Sequence, residues 1–248
     1  MSYEVPDVAD VVAEQPRPLL FVTVSGAHLY GFPSRDSDID LRGVHVLPVE
    51  EVVGLRHGPE TVERMWVRDG VELDLVTHDV LKFCRLLLRP NGYVLEQLLS
   101  PLVEHTTPAH RRLCAIAPRC LTRWHARHYR GFARNQWRLF ERTGELKPLL
   151  YTFRALLTGV HLMRTGEVLA NLPRLAEAHG GPAYLSDLVT AKALGEHRRV
   201  EEDPARFAAD VERWHEVLDD AHQRTALPAA PTAEPELQDL LLDLRLGR

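Results

Sequence analysis

The spacing of apolar residues changes part-way along the chain, and this change restricts the fold more than any other feature. Up to about residue 100 the sequence consists of short β-branched runs separated by turns, whereas apolar residues recur every three or four positions beyond residues 100 to 110. The 248 residues suffice for one large domain or two small ones. The pattern predicts an α/β (α+β) fold with a small mixed β-sheet followed by a C-terminal helical bundle.

Individual elements follow from the same patterns and from turn residues. The first half predicts a short helix at 7–14, strands at 18–25, 38–47, 61–67 and 71–77, and a helical segment at 78–100 interrupted at 90–92. Gly70 in the turn between the last two strands indicates a hairpin. The second half predicts only helices, most clearly at 107–142, 147–165, 182–194 and 203–224, and then a Pro/Ala-rich linker at 226–236 and a short amphipathic helix at 237–246.

Composition excludes several classes of protein. The formal net charge of -5 argues against a protein that coats nucleic acid without selectivity, so any nucleic-acid partner would be bound by a local basic patch. Cys84, Cys114 and Cys120 are odd in number and lack the close paired spacing of a zinc site or a disulfide framework. The cysteines predict a reducing, cytoplasmic environment, and the absence of a long apolar run argues against membrane insertion.

Two aspartates share one face of the second predicted strand. Asp38 and Asp40 flank Ile39, and like charges this close raise one another's pKa unless a cation lies between them. Hard oxygen ligands of this kind suit Mg²⁺, which completes its shell with waters and substrate phosphates. The pattern therefore predicts transfer chemistry at a phosphate group, with two metal ions about 4 Å apart.

The residues around this pair resemble a known family. Residues 25–44, SGAHLYGFPSRDSDIDLRGV, combine a glycine turn after a buried strand with Asp-hydrophobic-Asp about ten residues later. They resemble the DNA polymerase β superfamily of nucleotidyltransferases, and most closely its bacterial branch associated with RNA repair and RNA ligase. Weaker similarity extends to the hairpin acid and to residues 89–101, RPNGYVLEQLLSP.

The resemblance assigns roles to residues of the first half. It implies that Asp38 and Asp40 bridge two Mg²⁺ ions, for which Mn²⁺ can substitute, and that Asp74 completes the site of the hydroxyl-activating metal. Glu72, on the same predicted face, is the competing third acid. Gly26 would let the backbone approach a triphosphate.

Other positions near the motif leave alternatives open. Ser37 could add a hydroxyl to the site, and the serine that the family carries after the turn glycine is Ala27 here. Ser25 is the candidate donor in its place. Tyr30 and Arg42 could support the site from outside, or could be turn packing and a charge partner for the aspartates.

The helical half contributes two further candidate sets. Lys147, Tyr151 and Arg154 fall on one face of a predicted helix, where they could hold a triphosphate and stack a base, or form a solvated face. An arginine ladder could bind an RNA backbone or be an ordinary charged face, and its members are Arg119, Arg123, Arg127, Arg130, Arg134, Arg138 and Arg142. Arg123, Arg127, Arg130 and Arg134 are the candidate RNA contacts.

These observations predict a nucleotidyltransferase domain at 1–105, a helical domain at 106–225, and a linker with a terminal helix at 226–248. The expected reaction transfers a nucleoside monophosphate from a nucleoside triphosphate to an acceptor hydroxyl, with an RNA 3′ end favoured. A protein or small-molecule acceptor is the first alternative. The second is a nucleotide-binding or interaction module without catalysis, which Ala27 suggests.

Overall fold

The computed structural model describes residues 9–68, 70–200 and 202–247. In these ranges the strands are β1 (Leu19–Val24), β2 (Ile39–His45), β3 (Thr61–Arg68), β4 (Val71–Asp79) and β5 (Val103–Thr106). They form one sheet in the order β3-β4-β2-β1-β5. β2 and β4 are parallel, and the other neighbouring pairs are antiparallel, so the sheet is mixed as predicted.

Helices account for most of the remaining described residues. They are α1 (Ala9–Ala13), α2 (Gly26–Tyr30), α3 (Glu50–Val53), α4 (Val80–Leu87), α5 (Gly92–Leu98), α6 (Pro108–Ile116), a 3₁₀ helix (Ala117–Cys120), α7 (His125–Thr143), α8 (Leu146–Thr165), α9 (Leu172–His179), α10 (Leu185–Lys192), α11 (Ala205–Arg224) and α12 (Glu234–Leu246). In the same ranges, every helix falls short of the length and apolarity that a bilayer crossing requires.

The strands form where the sequence predicts them because their side chains alternate as the sheet requires. In β2, Ile39 and Leu41 are fully buried and pack with Leu73 and Leu75 of β4 in a small cluster on one face. The opposite face of β2 and β4 thereby receives the acidic residues. The predicted helix at 7–14 corresponds to α1, although residues 7 and 8 lie outside the described residues.

Two expectations for the second half are wrong. Residues beyond 100 are not all helical, because Val103–Thr106 form the strand β5, which pairs with β1. The sequence did not predict β5 because a strand of four residues is too short to show an alternating pattern. The predicted helix at 107–142 is interrupted, since Pro118 lies in a 3₁₀ turn and residues 121–124 separate it from α7. Arg119 and Arg123 are therefore not on the helix that carries the rest of the arginine ladder.

Smaller differences concern helix limits. No helix was expected at α9, which Asn171 caps by accepting a hydrogen bond from the backbone N–H of Arg174. The last helix begins at Glu234, within the predicted linker. The part of the predicted linker before this helix is attached to the 3₁₀ helix, because the amide of Thr232 donates to the carbonyl of Arg119 at 2.9 Å.

One large hydrophobic cluster joins the sheet to the helices. It includes Phe21 of β1 and Phe83 of α4 together with Phe153 and Leu157 of α8, all of them fully buried. The division into domains at residues 105 and 225 stays a prediction, but the helical part packs directly on the face of the sheet that carries the acidic residues.

Candidate active site

Asp40 and Asp74 lie side by side on neighbouring parallel strands. They are direct register partners of β2 and β4, so their side chains leave the same face of the sheet. The guanidinium of Arg42 lies between them and donates to Asp40 Oδ1 at 2.5 Å and to Asp74 Oδ2 at 2.9 Å. The hairpin acid that the sequence proposed therefore meets the Asp-Ile-Asp strand.

Arg42 supplies positive charge to these two carboxylates. It is buried, and it also donates to the backbone carbonyls of Leu41 and Asp74 at 2.9 and 2.8 Å. Burial raises the pKa of Asp40, Arg42 opposes this shift, and the charges of Asp38 and Asp74 add to it. The cation that balances Asp40 and Asp74 in this structure is therefore Arg42, whereas the sequence predicted a cation between Asp38 and Asp40.

Asp38 immediately precedes β2, two residues before Asp40. The intervening Ile39 is buried in the cluster on the opposite face, so the two aspartates are directed to the same side. The charge of Asp38 raises the pKa of Asp40 and also that of Lys147. Asp38 therefore belongs to the same electrostatic unit as the other two acids.

Gly26 lies against the carboxylate of Asp40. Its φ of 59° is in the left-handed region, and a Cβ at this position would lie 1.8 Å from Asp40 Oδ2. The amide of the neighbouring Ser25 donates to the backbone carbonyl of Asp40 at 2.8 Å. Glycine is thus required here both for the backbone conformation and for the close approach.

The residues on either side of Gly26 differ in their surroundings. Ser25 is fully buried, and its hydroxyl has no hydrogen-bond partner among the described residues. Buried hydroxyls are usually satisfied, so an orphaned one beside a glycine turn is consistent with a ligand contact. Ala27, the departure from the family serine, is packed in the large hydrophobic cluster.

Ser37 lies in a buried polar cluster that links the loop before Asp38 to the helical part. Its hydroxyl donates to Glu196 Oε2 at 3.1 Å, and the fully buried Lys192 donates to Glu196 Oε2 at 2.5 Å. Lys147 also forms an ion pair with Glu196. Burial by itself would raise the pKa of Glu196, but the hydrogen bonds from Lys147 and Lys192 lower it to about 2.

Lys147 and Tyr151 lie on the side of α8 that faces the acids. Asp38 and Asp40 both contribute to the raised pKa of Lys147, after the larger effects of burial, which opposes the shift, and of Glu196. The ring of Tyr151 contacts those of Tyr30 and Phe32 edge-on, at centroid distances of 5.4 and 5.5 Å.

Arg154 does not share this setting, although it lies on the same helix face. Its guanidinium, 2% exposed, pairs with Glu96 of α5 at 2.6 Å and lies 4.0 Å from the centre of the Tyr30 ring. The Tyr30 hydroxyl donates to the other oxygen of Glu96 at 3.0 Å. With its charge already paired in the core, Arg154 is not positioned to bind a phosphate here.

The candidate RNA-binding arginines divide into two groups. Arg127, Arg130 and Arg134 follow one another along α7, where Arg127 and Arg134 are exposed and Arg130 pairs with Asp219 of α11. Arg123 precedes the helix, and its amide donates to the carbonyl of Pro228 at 2.9 Å. The basic stripe is therefore shorter than the ladder in the sequence.

Comparison with known proteins decides the family. The family profile described as RlaP, the RNA repair pathway DNA polymerase beta family, matches residues 5–243. The chain belongs to this family.

Individual relatives are more distant. The chain is 32% identical over 154 residues to the uncharacterized protein MJ0002 of Methanocaldococcus jannaschii, a match that covers 60% of this chain and 61% of that relative. The chain thus spans about three-fifths of the relative's length. The crystal structure of a nucleotidyltransferase-like protein from Exiguobacterium sibiricum 255-15 is similar over 97% of this chain and 78% of the other, at 12% identity and a TM-score of 0.31.

Membership of the RNA repair pathway DNA polymerase beta family raises the question whether the acids fit divalent cations. No three acidic, histidine or cysteine side chains converge into a ready-made site within the described ranges. The donors nevertheless have the chemistry that Mg²⁺ prefers, and the missing Cβ of Gly26 leaves the space that Asp40 Oδ2 occupies beside the turn. Asp38, Asp40 and Asp74 are the residues that would hold such ions.

Sequence reasoning missed several residues of this site. Tyr93 of α5 interacts with both Arg42 and Asp40, and burial raises its pKa. Glu196, Lys192 and Glu96 were also not predicted. No local spacing marks these residues, although residues 89–101, where Tyr93 and Glu96 lie, had been noted for their family resemblance.

Proposed function

We propose that this protein is a Mg²⁺-dependent nucleotidyltransferase that transfers a nucleoside monophosphate from a nucleoside triphosphate to an acceptor hydroxyl. The observation that carries the proposal is the register of Asp40 with Asp74, directly beside the turn at Gly26. Acids placed this closely, with the pKa of Asp40 already raised by burial and by Asp38 and Asp74, can hold cations, and those cations would in turn bind the phosphates of a nucleotide.

In this proposal Asp38, Asp40 and Asp74 hold two Mg²⁺ ions, or Mn²⁺ in their place. Such a pair, when bound, activates a hydroxyl and neutralises charge on phosphate oxygens. The acceptor oxygen bonds to the α-phosphorus, the bond from that phosphorus to the pyrophosphate oxygen breaks, and pyrophosphate leaves. Asp74 takes up or orients the proton of the attacking hydroxyl.

Four further candidates, Ser25, Gly26, Lys147 and Tyr151, bind the nucleotide in this proposal. The Gly26 turn brings backbone close to the phosphates, and the unpartnered hydroxyl of Ser25 donates to them. Lys147 contributes charge and Tyr151 an aromatic face. Ser37 acts indirectly, because its hydrogen bond to Glu196 holds the loop that leads to Asp38.

An RNA 3′ end is the acceptor that we favour. The family is described by its place in RNA repair, and Arg127, Arg130 and Arg134 give α7 a basic stripe despite the acidic net charge of the chain. Arginines spaced along a helix can follow a phosphate backbone. A protein or small-molecule hydroxyl would not need such a stripe.

Transfer is tested by incubating the protein with labelled nucleoside triphosphates, Mg²⁺ and total cellular RNA. We expect labelled RNA with the native protein and none with Asp38→Ala or Asp74→Ala. Glu177→Ala is the matched control, because Glu177 is exposed on α9, outside the sheet that carries the acids. Nucleotide binding without transfer to any acceptor would mean that the protein is a binding module.

The acceptor is tested by the salt dependence of RNA binding. Replacing Arg127 and Arg134 together by alanine should lower the slope of log affinity against log salt by about one to two units. The control removes the same charge from exposed positions outside α7, as Arg111→Ala with Arg213→Ala. Equal slopes in all three proteins, or turnover that ignores salt, would remove RNA as the acceptor.

A further inference from the structure

The face of the sheet that carries the acids continues onto the outer strand of the hairpin. β3 pairs with β4 so that Met65 is opposite Asp74 and Val67 is opposite Glu72. Directly opposed residues of antiparallel strands point to the same side, with Cβ atoms about 5 Å apart. Met65 and Val67 thus stand next to the third acid, on its own face.

These two side chains are unusually exposed for apolar residues. Met65 is 66% exposed and Val67 is 69% exposed. Trp66 between them points the other way, where it packs against the small cluster of β2 and β4 residues. The hairpin thus packs against the protein through Trp66 and exposes the apolar side chains of Met65 and Val67 on its other face.

Different residues border the two ends of the row of acids formed by Asp38, Asp40 and Asp74. Lys147 of α8 interacts with Asp38 and Asp40, which places the cationic residue proposed for the triphosphate toward the first two aspartates. Met65 adjoins Asp74, the acid proposed to act on the attacking hydroxyl. Since β4 lies between β2 and β3 in the sheet, the hairpin strand β3 borders Asp74 on the side away from Asp40.

The charged residues beside Met65 and Val67 determine which part of an acceptor can lie on them. Glu63 and Glu72 are exposed on the same face, next to the two apolar residues. Carboxylates repel a phosphate backbone, whereas the flat face of an unpaired base is uncharged and can lie on methionine and valine. Residues two apart on a strand are roughly 6.6 Å from each other, which matches the width of a base.

We infer that Met65 and Val67 form a platform for the last, unpaired base of an RNA acceptor and so position its terminal hydroxyl at Asp74. This inference rests on the proposed function and names the part of the substrate that the site recognises. Contacts to the face of a base do not distinguish among bases, so the platform accepts any 3′-terminal nucleotide.

The test compares the double variant Met65→Ser/Val67→Ser with the native protein. We expect the KM for a single-stranded RNA acceptor to rise about tenfold, since two apolar contacts are lost, with the KM for the nucleoside triphosphate within about twofold. Fluorescence anisotropy with labelled RNA, without triphosphate, should show the same loss of affinity. Met65→Leu with Val67→Ile should restore both values.

The matched control is Val53→Ser with Leu55→Ser, at two apolar residues that are 77% and 107% exposed and lie outside the sheet. It should leave both KM values unchanged. An unchanged acceptor KM in the Met65/Val67 variant, an equal rise for both substrates, or a change only in self-association would overturn the platform while transfer by the native protein stands. If the native protein transfers nothing, the proposed function fails and the platform with it.

Discussion

The close approach of Gly26 to Asp40 provides a sharp test of the candidate site. Alanine at this position would place its Cβ 1.8 Å from Asp40 Oδ2, whereas ordinary contact begins near 3.4 Å, so the two groups must separate by about 1.6 Å. The backbone at φ 59° adds a cost of about 1–2 kcal/mol for any residue with a Cβ. Gly26→Ala should therefore both destabilise the protein and displace the carboxylate.

The effect on function should exceed the effect on folding. A displacement of about 1 Å in a reacting constellation can reduce rates about 100-fold, so we expect kcat/KM to fall by about that factor or more. Mn²⁺ binding, measured by isothermal titration calorimetry, should weaken in parallel because Asp40 can no longer hold its position. Urea denaturation measures the accompanying loss of stability.

Gly180→Ala separates the two contributions. Gly180 has a φ of 68°, and no described atom lies within 4 Å of a Cβ added there. It should lose about 1–2 kcal/mol of stability from backbone strain alone and keep native Mn²⁺ binding. If Gly26→Ala binds Mn²⁺ and transfers nucleotide as well as Gly180→Ala does, the turn does not support Asp40 and the site is misassigned.

Three further predictions concern buried charges. Because folding raises the pKa of Asp40, the metal-free protein loses stability as pH rises through that pKa and Asp40 ionises. Asp40→Asn should therefore be at least as stable as the native protein at pH 7. Mg²⁺ should raise the thermal midpoint of the native protein but not that of Asp40→Asn. Glu96→Gln leaves the Arg154 charge unpaired in the core and should cost about 3–5 kcal/mol in urea denaturation, whereas a loss under 1 kcal/mol would contradict a buried ion pair. The pKa of Glu196 is lowered, so its ionised form stabilises the protein above the ordinary pKa near 4.5, and this stabilisation is lost as pH falls toward about 2. Glu196→Gln should therefore make the free energy of unfolding less dependent on pH in the acid range.

Local sequence patterns were sufficient for the elements that carry the acids. Alternation in β2 placed Asp38 and Asp40 opposite Ile39, and the hairpin glycine placed Asp74 on a strand of its own. The helix α8 followed from its apolar period. These features depend on neighbours within a few residues, which is the range over which strand and helix periods act.

Tertiary structure alone decided how these elements meet. The parallel pairing of β2 with β4 brings Asp74 to Asp40, and it joins residues 34 positions apart that no local pattern connects. The same holds for Arg154, which its helical period groups with Lys147 but which Glu96 of another helix draws into the core. A periodic pattern specifies the face on which a side chain lies, whereas the partner that the face meets depends on the packing of distant segments, and that partner determines whether a charge is buried, paired or free to bind a substrate.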